Sequence, residues 1–485
     1  MPSNYNSERS LHLDPVPTRR PVNPLHLRKP MKVCMVAYAF YETDNRVRRY
    51  AEALAKRGDY VEAVSLRREG LPAFEVISGV RVHRIQPRRI NEKGKFAHVW
   101  RLVQFFLRSM AFLTKSHLKE KYNLIHVHSV PDFEVFAALF AKLGGAKVIL
   151  DIHDIMPEFY VSKFNSTRDS LAFKILLTIE RLSTRFADHV IAANHIWGDR
   201  LVTRSVPDSK CTTFLNYPDS SLFQQKGGAP RNDGKFVMLY PGTLNYHQGL
   251  DLAVRAFSRI KDQLPQAEFH IYGSGEQLEF LRSLIGELNL QDRVFLKGIV
   301  PLEQVSTVMA GADLGVVPKR SNAFGDEAFS TKTLEFMTVG VPLIVPNTPI
   351  DSYYFDDSLV TFFKANDETS LADALLRIAR NPELRRHQVE NSLEFVKKFT
   401  WDANRAGYLD LVDFLVNGKP RLSFPSGKPA HLPAQSPYSG SGSMNGNGNG
   451  NSLHGSSGHG PAADDLQADS KRGVSSRQKS GALTR

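Results

Sequence analysis

Short apolar runs of strand length alternate with stretches of helical periodicity over most of the chain. The first run, residues 32–39 (KVCMVAYA), is almost uninterrupted, the pattern of a parallel strand buried on both faces. Behind it Val47, Tyr50, Ala51 and Leu54 fall at helical spacing, Gly58 marks the helix end, and Val61–Leu66 reads as the next strand. That is a βαβ opening. The alternation continues with a strand at 123–129, an Ala-rich helix from Asp132, a strand at 146–154, a long helix from Ser170 to Ala187, and a strand at 189–194. A loop-rich break, KGGAPRNDG at 226–234, precedes a second series. Strands are expected there at 235–241, 269–272, 292–300, 312–320 and 342–345, with amphipathic helices between and after them. Trp401 begins a last helix through about Leu415.

This pattern predicts a disordered segment at 1–30, a first domain at 31–217, a second at 218–400, a closing helix at 401–416 and a disordered Gly/Ser/Asn-rich tail at 417–485. The polar, Pro- and Arg-rich start offers no apolar core for a signal peptide.

The chemistry concentrates at residues 322–345, NAFGDEAFSTKTLEFMTVGVPLIV. Glu327 and Glu335 stand eight positions apart, and Ser330 or Thr331 is typed to cap the helix that Leu334, Glu335 and Phe336 continue. Free N–H groups and the positive end of that helix make a seat for a diphosphate. Carboxylates beside an anion site repel phosphate, so their use there is to bind hydroxyls. One phosphate seat with two such carboxylates describes a nucleotide-sugar. Taken alone, the same residues also read as a capped amphipathic helix with two solvated glutamates.

The E-x7-E pattern resembles the signature of retaining glycosyltransferases of the family-4 type, in the branch found in bacterial polysaccharide assembly, whose fold is GT-B. The resemblance covers about 31–416 through several ordered segments. It implies two Rossmann-like α/β domains facing a central cleft, the first on the acceptor side and the second binding the donor. By the same resemblance Glu327 contacts the donor sugar, Glu335 the ribose, and His153, at the end of VILDIHD, approaches the reaction centre. Ile299 and Val300 follow Gly298 where the family meets the nucleobase. Gly242, Gly273 and Gly275 lie in strand–glycine–helix turns facing the same edge. His126 and His128 read as structural.

The sequence departs from the family at the donor phosphates. The family's Arg and Lys fall on Thr243 and Gln248, so Lys332 inside the phosphate seat is the preferred substitute, with Lys319, Arg320 and Arg46 as further candidates. Arg46, in the D-x-R-V run, reads equally as a helix-surface arginine. The implied reaction is front-face sugar transfer with retention, in cell-surface or exopolysaccharide biosynthesis. It takes a nucleotide-sugar as co-substrate, a glycan or lipid-linked acceptor, and neither metal nor other cofactor.

Composition adds the surroundings. Two cysteines, Cys34 and Cys211, make no disulfide framework, so a reducing cytoplasm is expected. The net charge is +12, and residues 81–121 hold eleven Lys or Arg against Glu92 and Glu120. Within that stretch Val99, Trp100, Val103, Phe106, Leu107, Met110 and Leu113 line one helical face. The segment reads either as an anchor on an anionic membrane, on the inner face of the plasma membrane, or as a core-packing helix with a solvated basic face. Nucleic acid is not expected, because no recognition-helix, zinc or RNP-type pattern accompanies the charge. The G-x-G-x-x-G of a nicotinamide enzyme is also absent. A nucleotide-sugar-binding scaffold without turnover, a basic nucleic-acid-binding protein and a sugar-nucleotide epimerase remain the alternatives.

Overall fold

The computed structural model describes residues 29–88, 95–164, 166–224 and 233–419. The expectations for 1–28, for the break at 225–232 and for the tail from 420 onward lie outside these residues.

The first lobe is built on eight strands: β1 Lys32–Ala37, β2 Tyr60–Arg67, β3 Phe74–Ile77, β4 Val80–Pro87, β5 Leu124–His128, β6 Lys147–Ile152, β7 His189–Ala192 and β8 Cys211–Thr213. Their order is β3-β4-β2-β1-β5-β6-β7-β8, parallel throughout except for the β3–β4 pair. The second lobe holds β9 Phe236–Pro241, β10 Ala267–Tyr272, β11 Val294–Gly298, β12 Leu314–Val316, β13 Leu343–Pro346 and β14 Thr361–Phe363. They form a parallel sheet in the order β11-β10-β9-β12-β13-β14. Both orders reverse direction beside the first strand of their lobe, and ligands bind at such switch points, outside the carboxyl ends of the strands. Two Rossmann-like α/β lobes are therefore present.

In the first lobe the helices are α1 Asn45–Lys56, α2 Lys95–Lys119, α3 Leu139–Leu143, α4 Met156–Phe164, α5 Leu171–Phe186 and α6 His195–Arg204. The second lobe carries α7 Leu250–Ile260, α8 Leu278–Glu287, α9 Leu302–Ala310, α10 Thr331–Val339, α11 Pro349–Tyr354, α12 Glu368–Ala379 and α13 Pro382–Val396. The chain then enters α14 Trp401–Asn417. Strands β1, β5, β7, β9 and β13 are buried along their whole length, which is why their sequences read as apolar runs rather than alternations. Helix α1 buries Val47, Tyr50, Ala51 and Leu54, and the Asp44 side chain accepts from the N–H groups of Arg46 and Val47 at its start. Helix α14 returns to the first lobe. Its Tyr408 packs at a tilt against Tyr50, with ring centroids 4.3 Å apart, and its hydroxyl lies 2.9 Å from His126 Nδ1.

Several elements differ from the periodicity, among them the short strands β8 and β14, which were not expected. The hairpin β3–β4 was not signalled, because its edge strand is short and largely exposed. The helix expected from Asp132 is a 3-10 segment, Asp132–Ala138, before the single short helix α3. Helix α2 buries only part of the apolar face that spacing gave it: Leu113 is buried, Val99, Trp100 and Leu107 are exposed, and Phe105, outside that face, is buried. The basic stretch also divides. Arg84 is buried on β4 between Glu42 and Glu75, Arg81 lies over the Tyr60 ring, and Arg89, Glu92 and Lys93 fall outside the described residues. Among the described residues no helix is long and apolar enough to cross a membrane.

The strand ends of the second lobe approach each other at backbone distance. Gly273 sits at φ +134°, and a Cβ there would lie 1.8 Å from the Gly242 carbonyl oxygen. Gly273→Ala is expected to cost about 1–3 kcal/mol, read as a lower urea midpoint. An unchanged midpoint would contradict the close approach.

Candidate active site

A cavity of about 750 Å³ opens between the lobes, where the carboxyl ends of both sheets face each other. The first lobe contributes Asp44, Arg46, Arg49, His153, Trp197 and Asn216; the second contributes His247, Gln248, Lys319, Ser330, Lys332 and Glu335.

On the first-lobe side the wall is set by a buried charge cluster at the end of β6. Asp151 is fully buried, and Arg46 grips both its oxygens, Nε at 2.8 Å and Nη2 at 2.7 Å, while Nη1 donates to the Phe214 carbonyl at 2.8 Å. Burial alone would raise the Asp151 pKa, but Arg46, His153 and His128 hold it well below the usual carboxylate range. His128 Nδ1 and His153 Nε2 each lie 3.1 Å from Asp151 Oδ2. His153 thus turns Nε2 to Asp151 while the residue lines the cavity. Burial depresses the pKa of both His126 and His128, so the two stay neutral. Ligand atoms of His126, His128 and Asp151 come within 4.8 Å of one another, but the Arg46 guanidinium already holds both Asp151 oxygens and its charge would repel a metal ion there.

Arg46 is thus neither a surface arginine nor a free phosphate ligand. It reaches the cavity wall with its guanidinium committed to Asp151 and Phe214. Arg49, one helical turn along α1, went unnoticed in the sequence. It lines the cavity, its guanidinium donates to Asn216 Oδ1, and burial together with Arg46 pushes its pKa down to about 10. The i, i+3 spacing from Arg46 was the available signal.

On the second-lobe side α10 points its N-terminus at the cavity. Ser330 occupies the capping position, yet its side chain makes no capping hydrogen bond, so the expected hydroxyl cap is not formed. Ser330 and Thr331 stand on the wall with that first turn open. Lys332 Nζ lies 3.5 Å from Gln248 Oε1 and 5.3 Å from the centre of the Tyr240 ring. The Tyr240 hydroxyl donates to the same Gln248 oxygen at 3.0 Å, so Gln248 holds a lysine rather than supplying a charge of its own. Gly242 leaves room for the Lys332 stem, since a Cβ there would meet Lys332 Cε at 2.4 Å. Burial lowers the Lys332 pKa against the pull of Glu335, with Lys319 lowering it further. Glu335, one turn along, lines the cavity with no hydrogen-bond partner among the described residues. Burial raises its pKa against the attraction of Lys332 and Arg49.

Several expected residues lie elsewhere. Lys319 reaches the wall, but its ammonium is 2.8 Å from Asp351 and donates to the Ala328 carbonyl at 2.9 Å. Arg320 is outside the wall, paired with Asp251 and lying over the Tyr246 ring. Both cations are therefore bound to the protein itself rather than turned to a phosphate. Gly242, Thr243, Gly273 and Gly275 follow the ends of β9 and β10 and do not line the cavity; Thr243 and Gly275 are exposed. Ile299, 75% exposed, and Val300 follow β11 outside it.

Glu327 is 4% exposed and sits behind the wall formed by Gly325 and Ala328. Arg200 of α6 pairs with its Oε1, and Oε2 has no partner among the described residues. Asn194 donates from Nδ2 to the Glu327 carbonyl at 2.9 Å, so the first lobe grips this loop directly. Arg200 continues into a buried chain through Glu158, Arg204 and Glu180. No spacing in the sequence links the members of this chain.

Two family models match the chain: a glycosyl transferase 4-like domain at residues 43–216 and glycosyl transferases group 1 at 223–395. An uncharacterized glycosyltransferase of Methanocaldococcus jannaschii is 23% identical over 387 residues, 73% of this chain and 89% of that protein. The gpi3 subunit of phosphatidylinositol N-acetylglucosaminyltransferase from Schizosaccharomyces pombe is 25% identical over 59% of each chain. The alpha-D-kanosaminyltransferase of Streptomyces kanamyceticus is 27% identical over 52% of this chain and 67% of its own. Among solved structures, sucrose-phosphate synthase from Thermosynechococcus elongatus superposes with a TM-score of 0.67 at 19% identity, covering 80% of this chain and all of that one. Anabaena HepE in complex with UDP-glucose reaches 0.60 at 14% identity, covering 79% and 99%. These two share the fold.

Proposed function

We propose, from the premise that the chain is a glycosyltransferase of the GT-B fold, that it moves a sugar from a nucleotide-sugar to a glycan or lipid-linked acceptor with retention, in cell-surface polysaccharide assembly. The observation that carries this reading is Glu335. It is a carboxylate on the cavity wall with no hydrogen-bond partner among the described residues, one turn from Lys332 and from the open N-terminus of α10, with His153 on the opposite wall. A carboxylate so placed binds ribose hydroxyls, and the helix start with Lys332 takes the diphosphate.

In the proposed mechanism His153 offers Nδ1 to a sugar hydroxyl beside the anomeric carbon, its ring held by Asp151. Glu327, buried behind the wall and paired with Arg200, holds the loop that brings Gly325 and Ala328 to the cavity instead of touching the donor sugar itself. Transfer proceeds on one face of the sugar: the departing diphosphate oxygen takes the acceptor proton as the acceptor oxygen bonds to carbon. The protein supplies orientation and stabilises the charge developing on the diphosphate, with no step assigned to a metal. That Lys319 and Arg320 are committed elsewhere, with Thr243 and Gln248 uncharged, favours a donor-binding scaffold as the second reading.

The test is a thermal-shift panel of UDP-, GDP- and ADP-sugars on wild type and Glu335→Ala. A ligand at a hundredfold excess over its Kd stabilises the folded state by about 2.7 kcal/mol. One nucleotide-sugar is expected to raise the wild-type Tm saturably and to leave Glu335→Ala unmoved. If no nucleotide-sugar shifts the wild type while oligonucleotides do, with steep salt dependence, the nucleic-acid alternative replaces this reading. Donor binding without transfer or hydrolysis would support the scaffold. An epimerised sugar released without acceptor would support an epimerase.

A further inference from the structure

Strands β1, β2 and β4 are neighbours in the first sheet and end together at one corner of the cavity. The Leu66 N–H donates to the Ala39 carbonyl at 2.9 Å and the Arg88 N–H to the Arg67 carbonyl at 3.0 Å, which sets the three strand ends side by side. Tyr38 and Phe40 follow β1, Arg68 follows β2 and Arg88 follows β4; of these Tyr38, Phe40 and Arg88 stand on the cavity wall. Arg88 lies over the Tyr38 ring, 5.2 Å from its centre, and Arg68 over the Phe40 ring at 5.0 Å. Lys163, at the end of α4, lies 5.4 Å from the centre of the Phe159 ring, itself on the wall. His98 of α2 packs edge-on against Tyr38, and its pKa is lowered by burial and then by Arg88 and Lys163, so both cations stand near this one imidazole.

This corner is rich in donors and short of acceptors. The Tyr38 hydroxyl and Arg68 Nε are buried without a hydrogen-bond partner among the described residues. Arg68, Arg88 and Lys163 form no ion pair among those residues either. The acids of the neighbouring segments do not neutralise them. Glu42 holds Arg84, and Asp44 accepts from the N–H groups at the start of α1. Asp154 is on the wall beside His153, and burial raises its pKa. Glu69, exposed next to Arg68, makes no ion pair among the described residues. What these donors and cations lack in common is an oxygen acceptor with a negative charge. Arginine presents its donors in a planar fork that fits the oxygens of a phosphate or carboxylate, and a lysine adds a point charge beside it.

We propose that Arg88 and Lys163, at the Tyr38 corner of the cavity, form a subsite for an oxyanion carried by the acceptor, a phosphate ester or a carboxylate on the sugar that receives the transferred one. The acceptor is then an acidic sugar rather than a neutral one. Naming the bound molecule the acceptor rests on the glycosyl-transfer reading, whereas a seat for an anionic sugar at this corner does not. The seat is separate from that of the donor: Lys332, Glu335 and the start of α10 belong to the second lobe, and this corner is built from the first. Lys332 and Lys163 both lower the pKa of His247, on the second-lobe wall, beyond the effect of burial, so one stretch of cavity joins the two seats. A sugar whose oxyanion rests at Arg88 is held on that stretch, facing the donor.

The experiment is isothermal titration of the full chain with glucose 6-phosphate, glucuronate and uncharged glucose at constant ionic strength. At least one charged probe should bind about tenfold or more tightly than glucose, the margin of a charge-assisted hydrogen bond. Preference for glucose 6-phosphate identifies the group as a phosphate ester, and preference for glucuronate identifies it as a carboxylate. Arg88→Gln should weaken the preferred probe about tenfold and the more exposed Lys163→Gln about threefold. Lys174→Gln, an exposed cation of α5 that does not line the cavity, should leave binding unchanged. Each variant should keep the wild-type Tm and nucleotide-sugar shift. A wild type that binds the charged probe but no nucleotide-sugar would keep this subsite and sink the transfer reading. The inference is overturned if neither charged probe is preferred over glucose, or if Arg88→Gln binds as the wild type does. It is likewise overturned if Lys332→Met removes binding that Arg88→Gln retains, which would put the probe in the diphosphate seat.

Discussion

Lys332→Met is expected to lower kcat/KM for sugar transfer about 10²–10³-fold, the usual cost of removing one preorganised charge from a developing oxyanion. The reason is what the other cations are doing. Arg46 is bound to Asp151, Lys319 to Asp351 and Arg320 to Asp251, whereas Lys332 meets only the neutral Gln248 and the Tyr240 ring within contact distance among the described residues. Burial lowers its pKa against the pull of Glu335, and an incoming diphosphate would compensate its charge. Donor binding should therefore raise the Lys332 pKa. Affinity for the donor should be full at neutral pH and fall as pH rises through the lowered pKa of the free protein. Steady-state kinetics and donor titration across pH would read both effects. Lys332→Arg should recover part of the loss. Lys319→Met should instead act mainly on Tm, since it strands Asp351, which is 1% exposed. A Lys332→Met enzyme within threefold of wild type would remove this lysine from the phosphate site.

Arg204→Met is expected to cost roughly 3–5 kcal/mol of stability, the toll of stripping a cation from buried carboxylates. Arg204 donates to both oxygens of Glu158, at 2.7 and 3.0 Å, and to both of Glu180, at 2.9 and 2.5 Å. Those carboxylates are 2% and 1% exposed, and methionine would leave them facing each other with Arg200 as the remaining cation on Glu158. Burial raises the Glu158 pKa, but the bonds from Arg204 and Arg200 reverse that and hold it low. A depressed folded-state pKa gives stability that is present above the unfolded value, near 4.3, and is lost as pH falls through the folded value. In Arg204→Met the folded pKa rises instead, so the variant gains relative stability as the buried carboxylates protonate. The gap between wild type and variant in urea midpoints should therefore be widest near pH 7 and narrow toward about pH 4.5. A gap that is small at neutral pH, or constant between the two, would show that the chain of charges does not stabilise the lobe. The same chain ends at Arg200 on Glu327, so its loss should also loosen the loop beside the cavity.

The differences between sequence reading and structure share one cause. Arg46 and Arg49 carry the same side chain, one helical turn apart, yet only the D-x-R-V run drew attention to the first. Arg46 proves to be bound within the protein, while Arg49 faces the cavity from the opposite lobe to Glu335. Lys332 was the preferred candidate for the phosphates, with Lys319 and Arg320 as further ones. Asp351 and Asp251, distant in sequence, neutralise the latter two. The exposed apolar face followed the same rule. Helical spacing located the apolar residues of α2, but whether a spaced stripe meets a sheet or meets water depends on the neighbours that pack beside it.

What the sequence determined by itself was the order of strands and helices, the α/β class and the neighbourhood of the chemistry. Apolar runs of strand length, helical periodicities and glycine turns are local, and each is set by sterics and burial within a few residues. The helix start at Ser330, the carboxylate of Glu335 and the histidine at the end of β6 were legible for that reason. What only the tertiary structure decided was which charges remain available to a ligand. That depends on pairing between residues such as Arg46 and Asp151, or Arg200 and Glu327, more than a hundred positions apart. In a low-dielectric cleft a charge is either satisfied by the protein or left for the ligand, and contacts between residues far apart in sequence make that assignment.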